Sequence, residues 1–342
     1  MKNINNYIIL SVGIIAVLIA IMIVGETEGF FLSPSSQNEE TVSDDLIVVG
    51  ISQLGSESVW RTANTESIQS SLSRQNGFFA IFNNARQKQD NQIKTIRDYI
   101  SQGVDYIVFA PVTENGFESV LQEAKENNIP VILMDRTVNV KDKSLYVTHV
   151  GSNMTEEGKK AGKWLEDELK KKNRQDEEIN IVVLQGTIGS SAQIGRERGF
   201  NEIANNNPNW NILEIANADF TTTKGKEEMT RLLNKYEDID VVVSQNDDMT
   251  FGAVDAINER GLTTGINGDI MIISFDACKE ALIMVYNGQI NVDIECNPLQ
   301  GEYIVDVINA LERGEEVEKE YFVDEQVFTK ENVRDYLTER QY

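Results

Sequence analysis

The sequence is poor in the residue types that build metal and disulfide sites. Its 342 residues include one histidine, His149, and two cysteines, Cys278 and Cys296. A single histidine excludes every zinc motif that needs two, so a metal site would have to consist almost wholly of carboxylates. Two cysteines without a C-x-x-C spacing are too few for a disulfide framework. We therefore expect two buried free thiols, with a single disulfide between them as the alternative that the sequence leaves open, and interpret His149 as structural.

Several enzyme motifs are also missing. None of the 23 glycines forms a G-x-G, and no Gly-Lys pair is followed by Ser or Thr. These absences exclude the dinucleotide-binding fingerprint and the phosphate-binding P-loop. There is also no G-x-S-x-G nucleophile elbow of the α/β-hydrolase kind. The sequence favours binding without chemistry, and we predict no enzyme activity, no catalytic residue, no metal and no cofactor.

Positive charge is scarce relative to negative charge. The chain has 31 basic and 55 acidic side chains, which gives a formal net charge of -24. Such a surface repels phosphate backbones and anionic lipid head groups. We expect no nucleic-acid partner, and a neutral or cationic ligand suits this field better than a phosphorylated one.

The N-terminal segment differs from the rest of the chain. Residues 7–24 carry no charge, which is the lower end of the length that spans a bilayer as a helix. We interpret residues 1–25 as a signal peptide or a membrane anchor and residues 26–45 as a polar tether. The absence of an A-x-A cleavage pattern favours a retained anchor. Lys2 before this segment and acidic residues after it predict a folded part on the outer, periplasmic or extracellular, face of the cytoplasmic membrane.

From Leu46 onward, short apolar segments alternate with amphipathic ones. Segments of this kind are typical of strands buried on both faces of a parallel sheet, and the stretches between them have helical spacing. The pattern pauses at residues 141–152 and then restarts, which predicts an α/β chain with two doubly wound parallel-sheet lobes. The predicted strands are Leu46–Ser52, Phe78–Asn83, Tyr106–Ala110, Val131–Asp135, Ile179–Gln185, Val241–Gln245, Ile270–Phe275 and a final strand-like stretch, Tyr321–Thr329.

Polar residues collect just after five of these strands. Ligands of open α/β sheets sit at the carboxyl ends of the strands. Carboxylates, arginines and amides there suit a neutral polyol, and Trp60 could cover the apolar face of a sugar ring. Each residue also has a structural alternative: Trp60 as core, Arg196 as a solvated helix residue, Asp247 and Asp248 as helix N-caps. Five sets at strand ends favour a site over these alternatives.

Seven stretches between Gly50 and Ala277 resemble a known family. The most specific are SQLGSESVWR and the sequence from Asn246 to Met249. They are similar to the ribose-binding class of sugar receptors of bacterial ABC importers, in particular its galactofuranose-binding members. The resemblance implies sugar contacts by Glu57, Ser58, Trp60, Arg61, Arg136, Arg196, Asn246 and Asp276, with Asp135 as a supporting neighbour.

The same resemblance implies the type I periplasmic-binding-protein fold. Its two lobes are joined by a three-strand hinge and close on the ligand. The implied boundaries are residues 46–149 plus 291–314 for the N-terminal lobe and residues 151–290 plus 315–342 for the C-terminal lobe.

Two functions remain open at this point. The chain could deliver a monosaccharide to an ABC permease, or it could present the sugar to a membrane histidine kinase as a tethered sensor. Both use the same ligand-driven closure of two lobes. A cytoplasmic repressor is disfavoured because a hydrophobic segment stands where a DNA-binding motif would be needed. The sequence leaves the identity and ring form of the sugar open.

Overall fold

The computed structural model describes residues 46–342. The predicted signal or anchor segment and the polar tether lie outside the described residues. Within residues 46–342, no helix is both long enough and apolar enough to cross a membrane.

The first sheet has six parallel strands in the order β11-β5-β4-β3-β1-β2. Its strands are β1 (Ile47–Gln53), β2 (Phe78–Asn84), β3 (Tyr106–Phe109), β4 (Val131–Met134), β5 (Thr148–Gly151) and β11 (Glu320–Phe322). The central strands β3 and β4 are buried at every residue, as expected for a sheet covered by helices on both faces.

The second sheet repeats this plan in the order β12-β10-β9-β8-β6-β7. Its strands are β6 (Ile179–Gln185), β7 (Trp210–Asn217), β8 (Val241–Ser244), β9 (Met271–Asp276), β10 (Val292–Glu295) and β12 (Val327–Thr329). All pairs are parallel except β12, which runs antiparallel to β10. We call each sheet with its helices a lobe, the first lobe and the second lobe.

Nine α-helices lie in the described part of the chain. They are α1 (Val59–Ser71), α2 (Gln89–Gln102), α3 (Glu118–Glu126), α4 (Met154–Lys171), α5 (Ser191–Ala204), α6 (Thr222–Lys235), α7 (Asp247–Glu259), α8 (Lys279–Asn287) and α9 (Gly301–Glu312). Helices α2 and α8 end at Gly103 and Gly288, which have φ values of 65° and 79°. Glycine adopts this left-handed cap without steric cost.

The predicted strands are confirmed to within one or two residues, except the last. Tyr321–Thr329 is not one strand, because β11 joins the first sheet and β12 the second. Three strands were missed. Strand β5 lies inside the predicted pause, polar residues interrupt β7 at Asn211 and Glu214, and β10 carries Asp293 and Glu295. None of the three is a continuous apolar segment, and the other strands were predicted from segments of that kind.

The chain passes between the lobes three times. The first crossing runs from the end of β5 to α4, the second from β10 to α9, and the third from β11 to β12. Helix α9 belongs to the first lobe, where it packs on α1. The backbone N–H of Gly301 donates to Ser67 Oγ at 3.0 Å across this contact.

The strand pairing differs from the predicted lobe boundaries at two places. Residues 291–314 were assigned to the first lobe, yet β10 pairs with β9 of the second sheet. Residues 315–342 were assigned to the second lobe, yet β11 pairs with β5 of the first. Both strands are short, and local sequence carries no signal for which of two sheets such a strand will join.

Candidate ligand-binding site

All nine residues selected from the sequence line one cavity between the two lobes. The cavity encloses about 300 Å³ when the space open to solvent at its mouth is included. Its predicted residues are Glu57, Ser58, Trp60, Arg61, Asp135 and Arg136 from the first lobe, and Arg196, Asn246 and Asp276 from the second. The carboxyl ends of parallel strands meet at this edge of each sheet. Contact between these residues and a ligand stays a prediction.

Arg61 is held by side chains of its own lobe. Helix α1 begins after Ser58, whose hydroxyl accepts the backbone N–H of Arg61 at 3.1 Å. The Arg61 guanidinium donates to Glu57 Oε1 at 3.1 Å, Asp135 Oδ2 at 2.6 Å and Gln53 Oε1 at 3.3 Å. Burial works to lower the pKa of Arg61, but the charges of Asp135 and Glu57 outweigh it and raise that pKa. Arg61 therefore stays a cation that orients two carboxylates at the cavity.

Arg136 is a buried cation with unused hydrogen-bonding capacity. Its side chain is 3% exposed, and its Nη1 donates to the carbonyl oxygen of Val112 at 3.1 Å. Its Nε lies 3.8 Å from Asp135 Oδ2 and has no hydrogen-bond partner among the described residues. Burial and the neighbouring charge of Arg61 lower the pKa of Arg136 to about 10. A buried donor without a partner is costly, so this N–H is left with an unmet hydrogen bond in the described structure.

Arg196 is the buried arginine that the second lobe contributes to the cavity. Its Nε donates to Glu157 Oε2 at 2.6 Å and its Nη2 to Asp276 Oδ1 at 3.2 Å, while Nη1 donates to the carbonyl oxygen of Gln245. The guanidinium carbon lies 5.0 Å from the ring centroid of Phe275. Burial opposes the charge, yet Glu157 and Asp276 raise the pKa of Arg196 well above its ordinary value. The alternative of a solvated helix residue is therefore wrong for Arg196.

The Glu157–Arg196 pair depends on close packing of helices α4 and α5. A Cβ atom at Gly158 would lie 2.2 Å from the carbonyl oxygen of Arg196, and one at Gly199 would lie 2.0 Å from that of Thr155. Only glycine permits backbones to approach this closely. Two glycines thus bring a buried acid on α4 within reach of an arginine on α5.

Asp276 ends strand β9 in an unusual backbone conformation. Its φ is 108°, and the next residue, Ala277, has a φ of 60°. Residues held at positive φ concentrate at functional sites, where the surrounding structure must offset their cost. Burial raises the pKa of Asp276 well above its ordinary value, although the charge of Arg196 acts in the opposite direction. Strand β9 thus turns a buried carboxyl towards the cavity next to its arginine partner.

Asn246 is the N-cap of helix α7. Its Oδ1 accepts the backbone N–H of Met249 at 2.9 Å, and its Nδ2 donates to the carbonyl oxygen of Phe220 at 3.4 Å. The capping role considered for Asp247 and Asp248 therefore belongs to Asn246. Because Asn246 also lines the cavity, the cap fixes its amide in one orientation there.

Two aromatic side chains border the cavity. Trp60 is 4% exposed, packs in a core cluster of the second lobe, and donates from Nε1 to the carbonyl oxygen of Cys296 at 2.5 Å. The ring centroid of Phe220 lies 5.3 Å from the Arg136 guanidinium. Trp60 is thus buried, as the interpretation of it as a core residue requires. It also lines the cavity. Phe220 was missed because it follows β7, and β7 itself was not predicted.

The remaining lining residues that the sequence did not indicate are Met154, Ala192 and Cys296. Cys296 and Cys278 are both buried free thiols, as expected. His149 is also buried, and one ring nitrogen, Nε2, lies 3.0 Å from the carbonyl oxygen of Asp135. Burial lowers the pKa of His149. This contact supports the backbone of Asp135, whose φ is 59°, and agrees with a structural role.

The two lobes are in direct contact with each other. Three backbone N–H groups of the first lobe donate to the second: Val59 to Asp248 Oδ2 at 3.3 Å, Thr137 to Ser191 Oγ at 2.9 Å and Glu114 to the carbonyl oxygen of Gly189 at 2.9 Å. These bonds require the two lobes to lie close together. The structure is therefore that of a closed cleft.

Comparison with known proteins agrees with this architecture. A family model described as the periplasmic binding protein domain matches residues 49–316. The chain belongs to this family. The resemblance stated from the sequence is confirmed, and the two α/β lobes with parallel sheets are those of a type I periplasmic binding protein.

Individual periplasmic binding proteins are similar over most of the chain. The galactofuranose-binding protein YtfQ of Escherichia coli is 42% identical over 255 residues, covering 74% of this chain and 78% of the relative. The ribose import binding protein RbsB of Bacillus subtilis is 28% identical over 247 residues, covering 72% and 75%. A solved structure from Mycobacterium smegmatis in complex with β-D-fucofuranose has a TM-score of 0.82 at 40% identity, covering 86% of this chain and 95% of the other. The structure of a galactofuranose-binding protein has a TM-score of 0.81 at 37% identity, covering 86% and 98%.

Proposed function

We propose that this protein is an extracytoplasmic receptor for a monosaccharide, an aldose in its furanose form, which it delivers to an ABC importer by closure of its two lobes. The observation that carries the proposal is the set of three buried arginines, Arg61, Arg136 and Arg196, around one interlobe cavity. Arg61 and Arg196 are each bonded to carboxylates, so the cavity holds fixed donors and acceptors side by side. A neutral ligand with many hydroxyl groups needs both.

Two groups in the cavity wall have capacity left for such a ligand. Among the described residues, Glu57 Oε2 and Arg136 Nε are buried without a hydrogen-bond partner. A sugar hydroxyl can donate to the carboxylate oxygen and accept from the guanidinium N–H. In the proposed complex, one hydroxyl or two adjacent ones satisfy both groups. The rings of Trp60 and Phe220 exclude water from the apolar edge of the sugar.

The furanose form is supported by the relatives at higher identity. The solved relatives at 40% and 37% identity are a β-D-fucofuranose complex and a galactofuranose-binding protein. A five-membered ring places its hydroxyls and side chain differently from a six-membered ring. A cavity of fixed charges therefore discriminates between the two forms, because an unmatched ring leaves buried polar groups unpaired.

Delivery to an importer is supported by relatives that are import binding proteins, including the ribose import protein of Bacillus subtilis. Presentation of the sugar to a histidine kinase would use the same closed cleft. Sugar uptake by cells that lack this protein distinguishes the two roles. A receptor for transport is required for uptake itself, whereas a sensor is required only for induction of the response.

The direct test is isothermal titration calorimetry of the full-length protein. Methyl galactofuranoside and methyl galactopyranoside make a matched pair that differs in ring size, and free L-arabinose, D-galactose and D-fucose extend the panel. We expect binding of a furanoside or of free aldoses, with no heat from the pyranoside. Absence of binding by every sugar would reject the receptor function, and preference for the pyranoside would reject the furanose form alone.

Variants then connect binding to the cavity. Arg196→Ala removes a cavity cation, and Arg198→Ala on the same helix removes an exposed one. Loss of a charged hydrogen bond costs about 1.5–3 kcal/mol, or tenfold or more in affinity. We expect that loss for Arg196→Ala and wild-type affinity for Arg198→Ala. Equal affinities would place the binding site elsewhere.

A further inference from the structure

The three crossings between the lobes converge on one polar cluster, which is buried except for the partly buried Glu325. Ser152 lies in the first crossing, Cys296 in the second and Glu325 in the third, and Glu157 projects from the first turn of α4. We call these four residues the hinge cluster. Its members are distant in sequence and meet only because the chain passes between the lobes at this place.

The hinge cluster has the geometry of a small-ion site. A carboxylate oxygen of Glu157, the Sγ atom of Cys296 and a carboxylate oxygen of Glu325 all lie within 4.8 Å of one another. Ser152 Oγ lies 3.2 Å from Cys296 Sγ and donates to Glu325 Oε1. An ion between these groups requires inward movement of about 1 Å, since zinc holds oxygen and sulfur ligands at about 2.0 Å and 2.3 Å.

One ligand atom in the cluster is buried and unsatisfied. Glu157 is fully buried, and its Oε1 has no hydrogen-bond partner among the described residues. Its other oxygen, Oε2, is occupied by Arg196 at 2.6 Å. A carboxylate oxygen that is buried without a partner is costly, and a bound cation removes that cost.

We propose that the hinge cluster binds one zinc ion through Glu157, Cys296 and Glu325, with the Ser152 hydroxyl or a water as the fourth ligand. A thiolate among the ligands selects zinc over magnesium and calcium, which prefer oxygen alone. The charge of Glu157 is balanced by Arg196, so the divalent ion neutralises the thiolate and the carboxylate of Glu325. The single histidine of the chain is not needed.

Binding of the ion must displace protons. Burial, together with the charge of Glu157, raises the pKa of the Cys296 thiol above its ordinary range and that of Glu325 to about 8. The charge of Arg196 acts in the opposite direction on Cys296, and that of Lys160 does so on Glu325. A metal site with protonated ligands binds more tightly as the pH rises, and one proton leaves for each ligand deprotonated.

The position of the cluster gives the ion a structural consequence. Its ligands come from α4 and from the second and third crossings, so a bound ion joins all three connections between the lobes. Cys296 also lines the ligand cavity, and Glu157 holds Arg196 there. The zinc site is nevertheless a separate property, because it does not require that the cavity bind a sugar.

Cobalt(II) titration of the full-length, reduced protein at pH 8 tests the proposal, with zinc then added in competition. We expect one equivalent of cobalt with a thiolate-to-metal charge-transfer band in the near ultraviolet, and displacement of that band by zinc. Cys278→Ser is the matched control, since Cys278 is also a buried free thiol but lies outside the cluster. It should keep the band, whereas Cys296→Ser should lose it and Glu325→Gln should weaken cobalt binding by tenfold or more.

The wild-type spectrum alone decides the question even if a variant fails to fold. Absence of the charge-transfer band in folded wild-type protein overturns the proposal, as does a band that Cys278→Ser removes and Cys296→Ser retains. Zinc binding without cobalt–thiolate absorption would identify a site of carboxylates elsewhere and would also overturn it.

Discussion

The carboxylate of Asp248 in the second lobe accepts a hydrogen bond from the backbone N–H of Val59 in the first, at 3.3 Å. Val59 is the first residue of helix α1, so the carboxylate lies at the positive end of that helix dipole. Asp248 itself is in the first turn of α7. One side chain therefore links the starts of two helices on opposite sides of the cavity, and the contact requires a closed cleft.

Replacement of Asp248 by Ala should weaken sugar binding by stabilising the open cleft relative to the closed one. The lost bond is worth about 1 kcal/mol, so we expect a fall in affinity of about fivefold. Asp248→Asn keeps an acceptor and should remain near the wild type. Calorimetric titration measures both, with Asp255→Ala, an exposed position on the same helix, as the control. Equal affinities for all three variants would mean that this bond does not contribute to closure.

The pH dependence of stability should contain a contribution from Asp248. Burial, and then the charges of Asp247 and Glu57, raise the pKa of Asp248 to about 7. The folded protein therefore binds this proton more tightly than the unfolded chain, in which an aspartate titrates near pH 4. The free energy of unfolding then falls as the pH rises from about 4 to about 7. Asp248→Asn removes this titration. The melting temperature of the variant, relative to that of the wild type, should therefore rise as the pH increases from about 4 to about 7. Parallel melting curves from pH 4 to pH 8 would contradict the assignment.

Arg136→Met should make the sugar-free protein more stable while it abolishes binding. Burial and the charge of Arg61 disfavour the cation at this position, and its Nε lacks a partner. An apolar side chain of similar length removes both costs, because it has neither a buried charge nor an unpaired donor. We expect a higher melting temperature without sugar and no further rise when sugar is added. Arg198→Met, at an exposed position, should leave both measurements unchanged. A destabilised Arg136→Met protein would show that the arginine is fully satisfied by the fold itself.

Gly158→Ala should alter the cavity although Gly158 does not line it. The added methyl would lie 2.2 Å from the carbonyl oxygen of Arg196, so helices α4 and α5 must separate. Overpacking of this kind costs about 1–3 kcal/mol of stability, and the separation also pulls Glu157 away from Arg196. We expect a lower melting temperature together with weaker sugar binding. Lys163→Ala, on an exposed part of α4, is the control. Normal affinity in a destabilised Gly158→Ala protein would show that sugar binding does not depend on the close packing of helices α4 and α5.

The sequence alone determined the class of fold and most of the residues around the cavity. Its apolar segments are long enough to mark buried parallel strands, and polar residues after such strands must meet at one sheet edge. That rule led to the strand ends that carry Arg61, Asp135, Arg196, Asn246 and Asp276. It missed Phe220, because polar residues interrupt strand β7 and that strand was not recognised.

Only the tertiary structure decided which sheet the short strands join and which side chains meet at the crossings. Strands β10 and β11 are too short for local sequence to fix their partners, so the lobe boundaries and the hinge cluster could not be predicted. The pairing of Glu157 with Arg196 likewise depends on two glycines that let helices α4 and α5 touch. The physical reason is that burial and periodicity are local properties of the sequence, whereas contacts between distant segments depend on how whole elements pack.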